Sequence, residues 1–460
     1  MLNDSRGSER TSLGAAAGLS RFLAEGDALA WILLLIAAFL FVLFIFPAWT
    51  HPIQDPDYWW LRWAGDEMLH GAYPRLNALS WTAPDTEWVT HEPLVELAYG
   101  LAGAGGIGWV RGAIVSATAL LLGFIAWRRH SAVATVLAFA WVTQLVLYGR
   151  TERALSWGNL MLALTVALLH GRPSTWRFVG ASLVVGLWAS VHGSFVVGIF
   201  LIALASWRWG LVAAALTLVN PGGWRLWELV LGYGTSVGTK PFVHDAIPEW
   251  FVPNFFEPWT LFRICLLGAA GVLILWRGPW RGRITWAALT FLGMEHQRFM
   301  ETAAIAALPW LASALDELLP KRAIPSPLPL FAAATIGLAV IAPPAVFDEA
   351  RFPAGFPFAQ LAGRRVWNDY VAGGYLGYHG VKVFWDPRVD CYPIDILNDG
   401  WKIEVSDADR LGLLGKWQID DVVTSHAAIV TQLEHAGWIA LGAYGQWRVF
   451  ERPGDPRLRS

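Results

Sequence analysis

Two carboxylates spaced two residues apart, Asp55 and Asp57, stand beside the aromatic residues 58–60, directly after the first long apolar run of the chain. Charged residues near a bilayer are costly, so they tend to serve a function. A carboxylate can take the proton of an attacking hydroxyl or amine, and Asp57 is the first candidate for this base, with Asp55 the second. Both also offer hard oxygen ligands for Mg²⁺ or Mn²⁺. A polar loop, or an aspartate that caps a helix, accounts for the same residues without chemistry.

Arginines in the connections between apolar runs form a second candidate set. A leaving phosphate gains negative charge that arginines or a divalent metal stabilise, and a guanidinium presents a planar fork that fits phosphate oxygens. Arg150, Arg153 and Arg298 are therefore candidates for binding a phosphate. The alternative is that they pair with Glu152 and Glu295 or bind lipid head groups.

Several further polar residues complete the candidate site. His91 and Glu92 offer additional metal ligands, although a His-Glu pair before a proline is more often a loop tied down by hydrogen bonds. His192 lies where two apolar runs meet, and it either lines a cavity or marks a helix break. Asp386 and Arg388 close a strand-like run, and they either help to bind an acceptor or form a salt-bridged turn. The remaining candidates from these connections are Glu249 and His296.

Composition places the chain in a membrane. Hydrophobic residues make up 55% of the sequence, charged residues only 15%, and there are 29 tryptophans, which is not the composition of a water-soluble globule. A net charge of -2 argues against a nucleic-acid partner. The two cysteines, Cys265 and Cys391, provide neither a disulfide framework nor a zinc-binding spacing.

Apolar runs predict about eleven membrane-spanning helices. A helix of about 20 residues crosses a hydrocarbon core of about 30 Å, and several of the runs are short for a full span. No signal-peptide cleavage site follows the first run, so we interpret it as a retained span. The runs are residues 28–49, 112–127, 132–148, 154–169, 178–191, 193–207, 209–219, 264–276, 284–294, 302–315 and 328–346.

Positive charge in the connections orients these predicted spans, because Lys and Arg favour the cytoplasmic side. If residues 1–27 form a flexible cytoplasmic N-terminus, five basic connections fall on the inner face. These connections contain Arg128 and Arg129, Arg172 and Arg177, Arg208, the group Arg277, Arg281 and Arg283, and Lys321 with Arg322. The connections rich in Asp, Glu and His, including the loop 50–108, are then extracytoplasmic.

A helix is predicted inside that loop, over residues 58–70. Trp60, Leu61, Ala64 and Met68 recur there at helical spacing, with charged residues elsewhere around the turn. Such an amphipathic helix lies in the membrane interface, and its start would hold the two aspartates there.

The composition changes once, after residue 347. Charge, turns and short alternating segments replace the apolar runs, with strand-like pieces at 365–367, 381–385, 420–424 and 446–451 and helix-like pieces at 407–417 and 427–435. The prediction is a mainly α polytopic transmembrane helical bundle over residues 28–347, followed by a small extracytoplasmic α/β domain over residues 348–460.

The order of these motifs resembles the first extracytoplasmic loop of bacterial polytopic glycosyltransferase-like proteins of the GT-C superfamily. In that loop the matching residues are Asp55-x-Asp57-x-Trp59-Trp60, Gly71-x-x-Pro74-Arg75, Ser80-x-Thr82-Ala83-Pro84 and Trp88-x-x-His91-Glu92. Later matches are Trp188-x-x-x-His192-Gly193, Asn220-Pro221-x-Gly223, Glu249-Trp250, Asn368-Asp369-Tyr370, Gly373-Gly374-Tyr375-Leu376 and Asp386-x-Arg388-x-Asp390. The chain departs from the pattern at Leu61 and Ser190, where relatives tend to carry His and Asn.

The resemblance implies a membrane glycosyltransferase of the bacterial inner membrane. Such enzymes take a sugar from a polyprenyl-phosphate carrier through an acidic motif in this loop, and the acceptor here would be a cell-envelope glycan, lipid or protein. A divalent metal is a further implied possibility at Asp55 and Asp57. Alternatives are a glycan ligase similar to oligosaccharyltransferases, a non-catalytic scaffold binding a partner, and a transporter. The sugar, the acceptor and the length of the carrier are not specified by these motifs.

Overall fold

The computed structural model describes residues 28–128, 130–146, 148–232, 242–243, 246–321, 325–348 and 350–454. The prediction for the N-terminal residues 1–27, and the placement of Arg129 and Arg322, lie outside the described residues. Within the described part the chain is mainly helical, with 17 α-helices and a small sheet. The predicted fold class is therefore confirmed in its helical character.

Most helices of the apolar part overlap the predicted runs, and the helix Trp224–Gly232 was not predicted. Helices α1 to α13 are, in chain order, Ala28–Thr50, Asp57–Leu69, Pro93–Trp127, Ala132–Leu145, Ala154–Leu169, Thr175–Trp188, Phe195–Ala205, Trp207–Leu216, Trp224–Gly232, Pro258–Arg277, Trp280–Glu295, Phe299–Leu318 and Leu328–Ile341. By length and composition, three helices of the described part, α1, α3 and α10, can cross a membrane. The count of eleven spans stays a prediction.

The helix predicted over residues 58–70 is confirmed as α2, and its place in the membrane interface stays a prediction. It packs against the first turns of α3, where Gly65 meets Gly100 so closely that no side chain fits between them: a Cβ on Gly65 would lie 2.0 Å from the carbonyl oxygen of Glu96. Helix α3 is longer than its predicted run and is interrupted at Gly103, where φ is +63° and glycine is favoured. The first part of α3 therefore supports the polar loop, and the second part forms the apolar span.

The last part of the chain contains a four-stranded sheet in the order β1-β2-β4-β3. Its strands are β1 (Val366–Asn368), β2 (Asp421–Thr424), β3 (Ile439–Tyr444) and β4 (Trp447–Glu451), and its helices are α14 (Gly373–Tyr378), α15 (Ile394–Val405), α16 (Arg410–Lys416) and α17 (Ala427–His435). Strand β1 runs parallel to β2, and the other pairs are antiparallel. Of these, β3, α14 and α15 were not predicted.

The strand predicted over residues 381–385 is wrong. Val383 makes only an isolated parallel bridge to Ser80 in the loop between α1 and α3. The N–H of Phe384 donates to the side-chain oxygen of Asn368 at 3.1 Å, so its backbone is satisfied by a side chain and not by a neighbouring strand. The hydrophobic pattern of this segment reflects its burial against the loop.

The loop and the last part of the chain share one hydrophobic core. Trp59 of α2 stacks on Phe347 at a centroid distance of 4.6 Å and meets Tyr375 of α14 edge-on, also at 4.6 Å. Residues from α1, α3 and α15 belong to the same buried cluster. The helix that follows the two aspartates is therefore packed against the last part of the chain, and the domain boundary at residue 347 stays a prediction from composition.

Candidate active site

The two aspartates lie at the turn that leads into α2. Asp57 is the first residue of this helix, and its N–H donates to Oδ1 of Asp55 at 3.1 Å. Oδ1 of Asp57 accepts from Nε1 of Trp60 at 3.3 Å. The capping alternative thus accounts for one oxygen of Asp55, while Oδ2 of each aspartate points to other partners.

Glu152 fixes the backbone of this turn. Its Oε1 accepts the N–H groups of Gln54 at 2.6 Å and Asp55 at 2.9 Å, and its Oε2 lies 2.8 Å from Nη1 of Arg111. Both side chains of this pair are buried. Sequence reasoning missed Arg111, although a lone arginine at the edge of an apolar run is a signal of a functional or structural partner. Glu152 is thus the partner of Arg111.

Arg153 joins three acidic side chains. Its Nε lies 2.5 Å from Oδ2 of Asp55 and 3.4 Å from Oδ2 of Asp57, and its Nη1 pairs with Oε2 of Glu249. Arg153 immediately precedes α5, which begins at Ala154. The end of one connection is therefore placed against the aspartate turn of another.

Glu249 carries the contact on to a second arginine. Oε1 of Glu249 lies 2.9 Å from Nη1 of Arg298, whose guanidinium also lies 4.6 Å from the ring centroid of Trp250. Glu249 belongs to the short 3₁₀ helix Pro248–Trp250. We refer to Asp55, Asp57, Arg153, Glu249 and Arg298 together as the acid–arginine cluster.

Burial sets the basicity of the two aspartates. It raises the pKa of Asp55 to about 7, against the opposing influence of Arg153. Burial also raises the pKa of Asp57, with Arg153 opposing and Glu249 adding to the rise. The Asp57 side chain is 25% exposed and that of Asp55 only 10%. Asp57 is therefore the more accessible of two carboxylates that are stronger bases than usual.

His192 and His91 differ in charge state. Burial, with Arg298 and His91 adding to it, lowers the pKa of His192 well below its ordinary value, so this imidazole is neutral. Nδ1 of His192 lies 2.7 Å from Oγ of Ser194. For His91, burial is outweighed by the nearby carboxylates, chiefly Glu92, which raise its pKa to about 9. His91 is a cation whose Nε2 lies 3.3 Å from Oε1 of Glu92.

His296 has a supporting position. Its Nδ1–H donates to the carbonyl oxygen of Trp250 at 2.7 Å, and its ring packs against that of Phe299. It thereby holds the 3₁₀ helix that presents Glu249. This contact places His296 beside the acid–arginine cluster and not in it.

Asp386 and Arg388 form a fully buried pair away from the two aspartates. Nε and Nη2 of Arg388 lie 2.9 and 2.7 Å from the two carboxylate oxygens of Asp386, and the hydroxyl of Tyr392 donates to Asp386 at 2.7 Å. Nη2 of Arg388 also donates to Asn77 at 2.8 Å. This is the geometry of the salt-bridged turn, and it ties the last part of the chain to the loop between α1 and α3.

Arg150 is separated from the other two candidate arginines. Its guanidinium lies 5.4 Å from the ring centroid of Phe44 in α1. Within the described part of the chain it makes no ion pair with Asp55, Asp57 or Glu249, whose partners are Arg153 and Arg298. The structure thus brings two of the three candidate arginines together.

The geometry does not favour a metal at the aspartate pair. In the part of the chain that the structure describes, no group of three His, Cys, Asp or Glu side chains is arranged to hold a metal ion. Oδ2 of Asp55 and of Asp57 both face the guanidinium of Arg153, which supplies the positive charge there. A metal requirement stays a prediction.

Comparisons with known proteins give one solved structure to report. No protein-family model and no curated protein matches the chain. The crystal structure of ArnT from Cupriavidus metallidurans in the apo state is similar at 15% sequence identity and a TM-score of 0.45, covering 92% of this chain and 98% of that chain. At this TM-score the likeness carries no argument about donor, acceptor or mechanism.

Proposed function

We propose that this protein is a membrane glycosyltransferase that moves a sugar from a polyprenyl-phosphate carrier to a cell-envelope glycan, lipid or protein acceptor. The observation that carries the proposal is the acid–arginine cluster, in which Asp57 and Asp55 share Arg153 and Glu249 adds Arg298. A proton acceptor and two phosphate-binding groups thus lie within one site.

Each group has a role in such a transfer. The acceptor oxygen or nitrogen attacks the anomeric carbon of the sugar while the bond from that carbon to the phosphate oxygen breaks. The bonding electron pair leaves with polyprenyl phosphate, and the proton of the acceptor goes to Asp57. Arg153 and Arg298 stabilise the charge that grows on the leaving phosphate. Asp55, 2.5 Å from Nε of Arg153, positions that guanidinium.

The segment after Glu249 supports a lipid-borne donor. Val252, Phe255 and Phe256 are 60%, 49% and 95% exposed, and Trp259 at the start of α10 is also exposed. Large apolar side chains in a row on a surface mark contact with lipid or a partner. A phosphate carried at the end of an isoprenoid would therefore reach Arg298 from the bilayer side.

Transfer assays on mutants test this proposal. Membranes with wild type, Asp57→Asn or Asp55→Asn are incubated with labelled polyprenyl-phosphate sugars, with and without a chelator. Asp57→Asn is expected to lower the transfer rate by about 10²–10⁴-fold, because the base is lost. Asp55→Asn lowers it less, since Arg153 remains. The control is Asp85→Asn, an exposed aspartate of the same loop.

Each result of this assay has a defined meaning. Unchanged transfer in both mutants would remove the aspartates from the mechanism. Product carrying a whole oligosaccharide would identify a ligase, and loss of transfer with chelator would establish a metal requirement. The proposal also places the cluster on the extracytoplasmic face of a bacterial inner membrane, so a reporter fused after residue 460 should give an extracytoplasmic signal.

A further inference from the structure

The carboxylate of Glu249 lies between two guanidinium groups. Its Oε2 pairs with Nη1 of Arg153, and its Oε1 lies 2.9 Å from Nη1 of Arg298. Two guanidiniums that share the oxygens of one anion are the arrangement with which arginines bind a phosphate. Glu249 therefore occupies the position that these arginines would give to a phosphate.

The charge balance of the acid–arginine cluster disfavours binding of an additional anion. Three carboxylates, of Asp55, Asp57 and Glu249, face the two guanidiniums of Arg153 and Arg298. Burial raises the pKa of a carboxylate, but Arg298 and Arg153 outweigh it for Glu249 and lower its pKa below the ordinary value, so it is ionised. A phosphate added beside the ionised Glu249 would have to share guanidiniums that this carboxylate already engages, and two adjacent anions in a buried site repel each other, which is costly.

The backbone around Glu249 is held without the help of its carboxylate. The N–H of Arg298 donates to the carbonyl oxygen of Glu249 at 3.1 Å, and the N–H of Gln297 donates to that of Phe251 at 3.0 Å. Nδ1 of His296 donates to the carbonyl oxygen of Trp250 at 2.7 Å. The carboxylate can therefore leave the arginines by rotation of its side chain while the 3₁₀ helix stays in place.

We infer that the carboxylate of Glu249 occupies the site of the donor phosphate in the resting state. It pairs there with Arg153 and Arg298, and it is exchanged for the phosphate when the carrier binds. This inference rests on the proposed function for the nature of the phosphate, an isoprenyl phosphate. Glu249 returns to the arginines after transfer and so promotes release of the product. It competes with the phosphate and is not part of the chemical step.

The affinity for a phosphate tests this inference, because the two possible roles of Glu249 predict opposite changes in affinity when its carboxylate is removed. The purified full-length protein is titrated with farnesyl phosphate by isothermal calorimetry. In Glu249→Gln the competing charge is gone, and we expect binding on the order of 10-fold tighter, with slower release. If Glu249 instead only positions the arginines, Glu249→Gln binds more weakly. Weaker or unchanged binding in this variant overturns the inference.

Matched variants keep the test decisive. Glu87→Gln removes one carboxylate from the exposed pair with Arg225 and should leave binding unchanged. Glu249→Asp has a shorter side chain that cannot bridge both arginines as well, and it should bind farnesyl phosphate with an affinity between those of wild type and Glu249→Gln. This variant provides the test if Glu249→Gln fails to fold. The gain in Glu249→Gln should shrink when it is combined with Arg298→Gln, since one of the two phosphate partners is then missing.

The inference and the proposed function fail in different ways. Tighter farnesyl phosphate binding in Glu249→Gln, together with no sugar transfer by wild type, supports the exchange and contradicts the glycosyltransferase. Sugar transfer by wild type without tighter binding in Glu249→Gln supports the glycosyltransferase and contradicts the exchange. Absence of farnesyl phosphate binding in both wild type and Glu249→Gln overturns the exchange outright.

Discussion

Asp55 and Asp57 are alike in sequence and different in environment. Asp55 lies 2.5 Å from Nε of Arg153 and is the less exposed of the two, whereas Asp57 lies at 3.4 Å and retains more contact with solvent. A carboxylate in close contact with a guanidinium has an oxygen engaged, whereas a more exposed carboxylate can be reached by the hydroxyl or amine of an acceptor. This difference supports Asp57 as the base and Asp55 as the group that positions the arginine.

The pH dependence of transfer follows from these environments. The folded pKa values of Asp57 and Asp55 are raised above the ordinary 3.8, to about 7 for Asp55. The base is protonated as the pH falls, so kcat/KM should decrease on the acid side at a pH above the value of about 4 expected for a free carboxylate. Glu249→Gln should move this limb to lower pH, because Glu249 raises the pKa of Asp57. An acid limb near pH 4 (about the value for a free carboxylate) would contradict this.

At the scale of elements, the crossing of α2 and α3 places the aspartates. Gly65 of α2 and Gly100 of α3 let the two backbones touch, and Asp57 is two turns earlier on α2. The same approach brings Glu96 under α2. The position of the site therefore depends on two residues that have no side chain.

An alanine at this crossing tests that dependence. In Gly65→Ala the new Cβ would lie 2.0 Å from the carbonyl oxygen of Glu96, and since that oxygen is backbone, the helices must separate. We expect a loss of about 1–3 kcal/mol in the free energy of unfolding and a lower transfer rate. Gly105→Ala in α3 is the control, because nothing lies within 4 Å of its Cβ. Thermal unfolding in detergent compares the stability of Gly65→Ala with that of Gly105→Ala. Equal losses of stability in the two variants would refute the packing argument.

At the scale of the whole molecule, the last part of the chain closes over the loop that carries the aspartates. Arg388 reaches Asn77 at 2.8 Å, and Val383 bridges to Ser80. The guanidinium of Arg388 also lies 4.7 Å from the ring centroid of Trp88. These contacts are made by residues with almost no exposure, so they hold the two parts together.

Removing Arg388 should therefore destabilise the protein. Arg388→Gln leaves Asp386 buried without its partner, and we expect the free energy of unfolding to fall by about 3–5 kcal/mol. Arg225→Gln breaks the exposed pair with Glu87 and should cost only about 0–1 kcal/mol. Chemical unfolding in detergent compares the two. A fully stable Arg388→Gln with a raised KM for the acceptor would instead assign Arg388 to substrate binding.

Much of the local structure can be predicted from the residues along the chain. Apolar runs became helices, the amphipathic pattern after Asp57 became α2, and the helix predicted over residues 427–435 became α17 with the same bounds. These features depend on neighbouring residues, whose spacing is visible along the chain. The helix predicted over 407–417 is shorter, from Arg410 to Lys416, because helix ends are decided by local contacts.

Which charged side chains meet depends on how the helices pack. The sequence named Asp55, Asp57, Arg153, Glu249 and Arg298 without pairing them, and it did not identify Arg111 as the partner of Glu152. Arg153 and Glu249 are 96 residues apart in the chain, and Arg388 and Asn77 are 311 apart. Pairs at such separations are brought together by helix packing and not by local spacing. The arrangement of one carboxylate between two arginines is therefore a property of the folded protein alone.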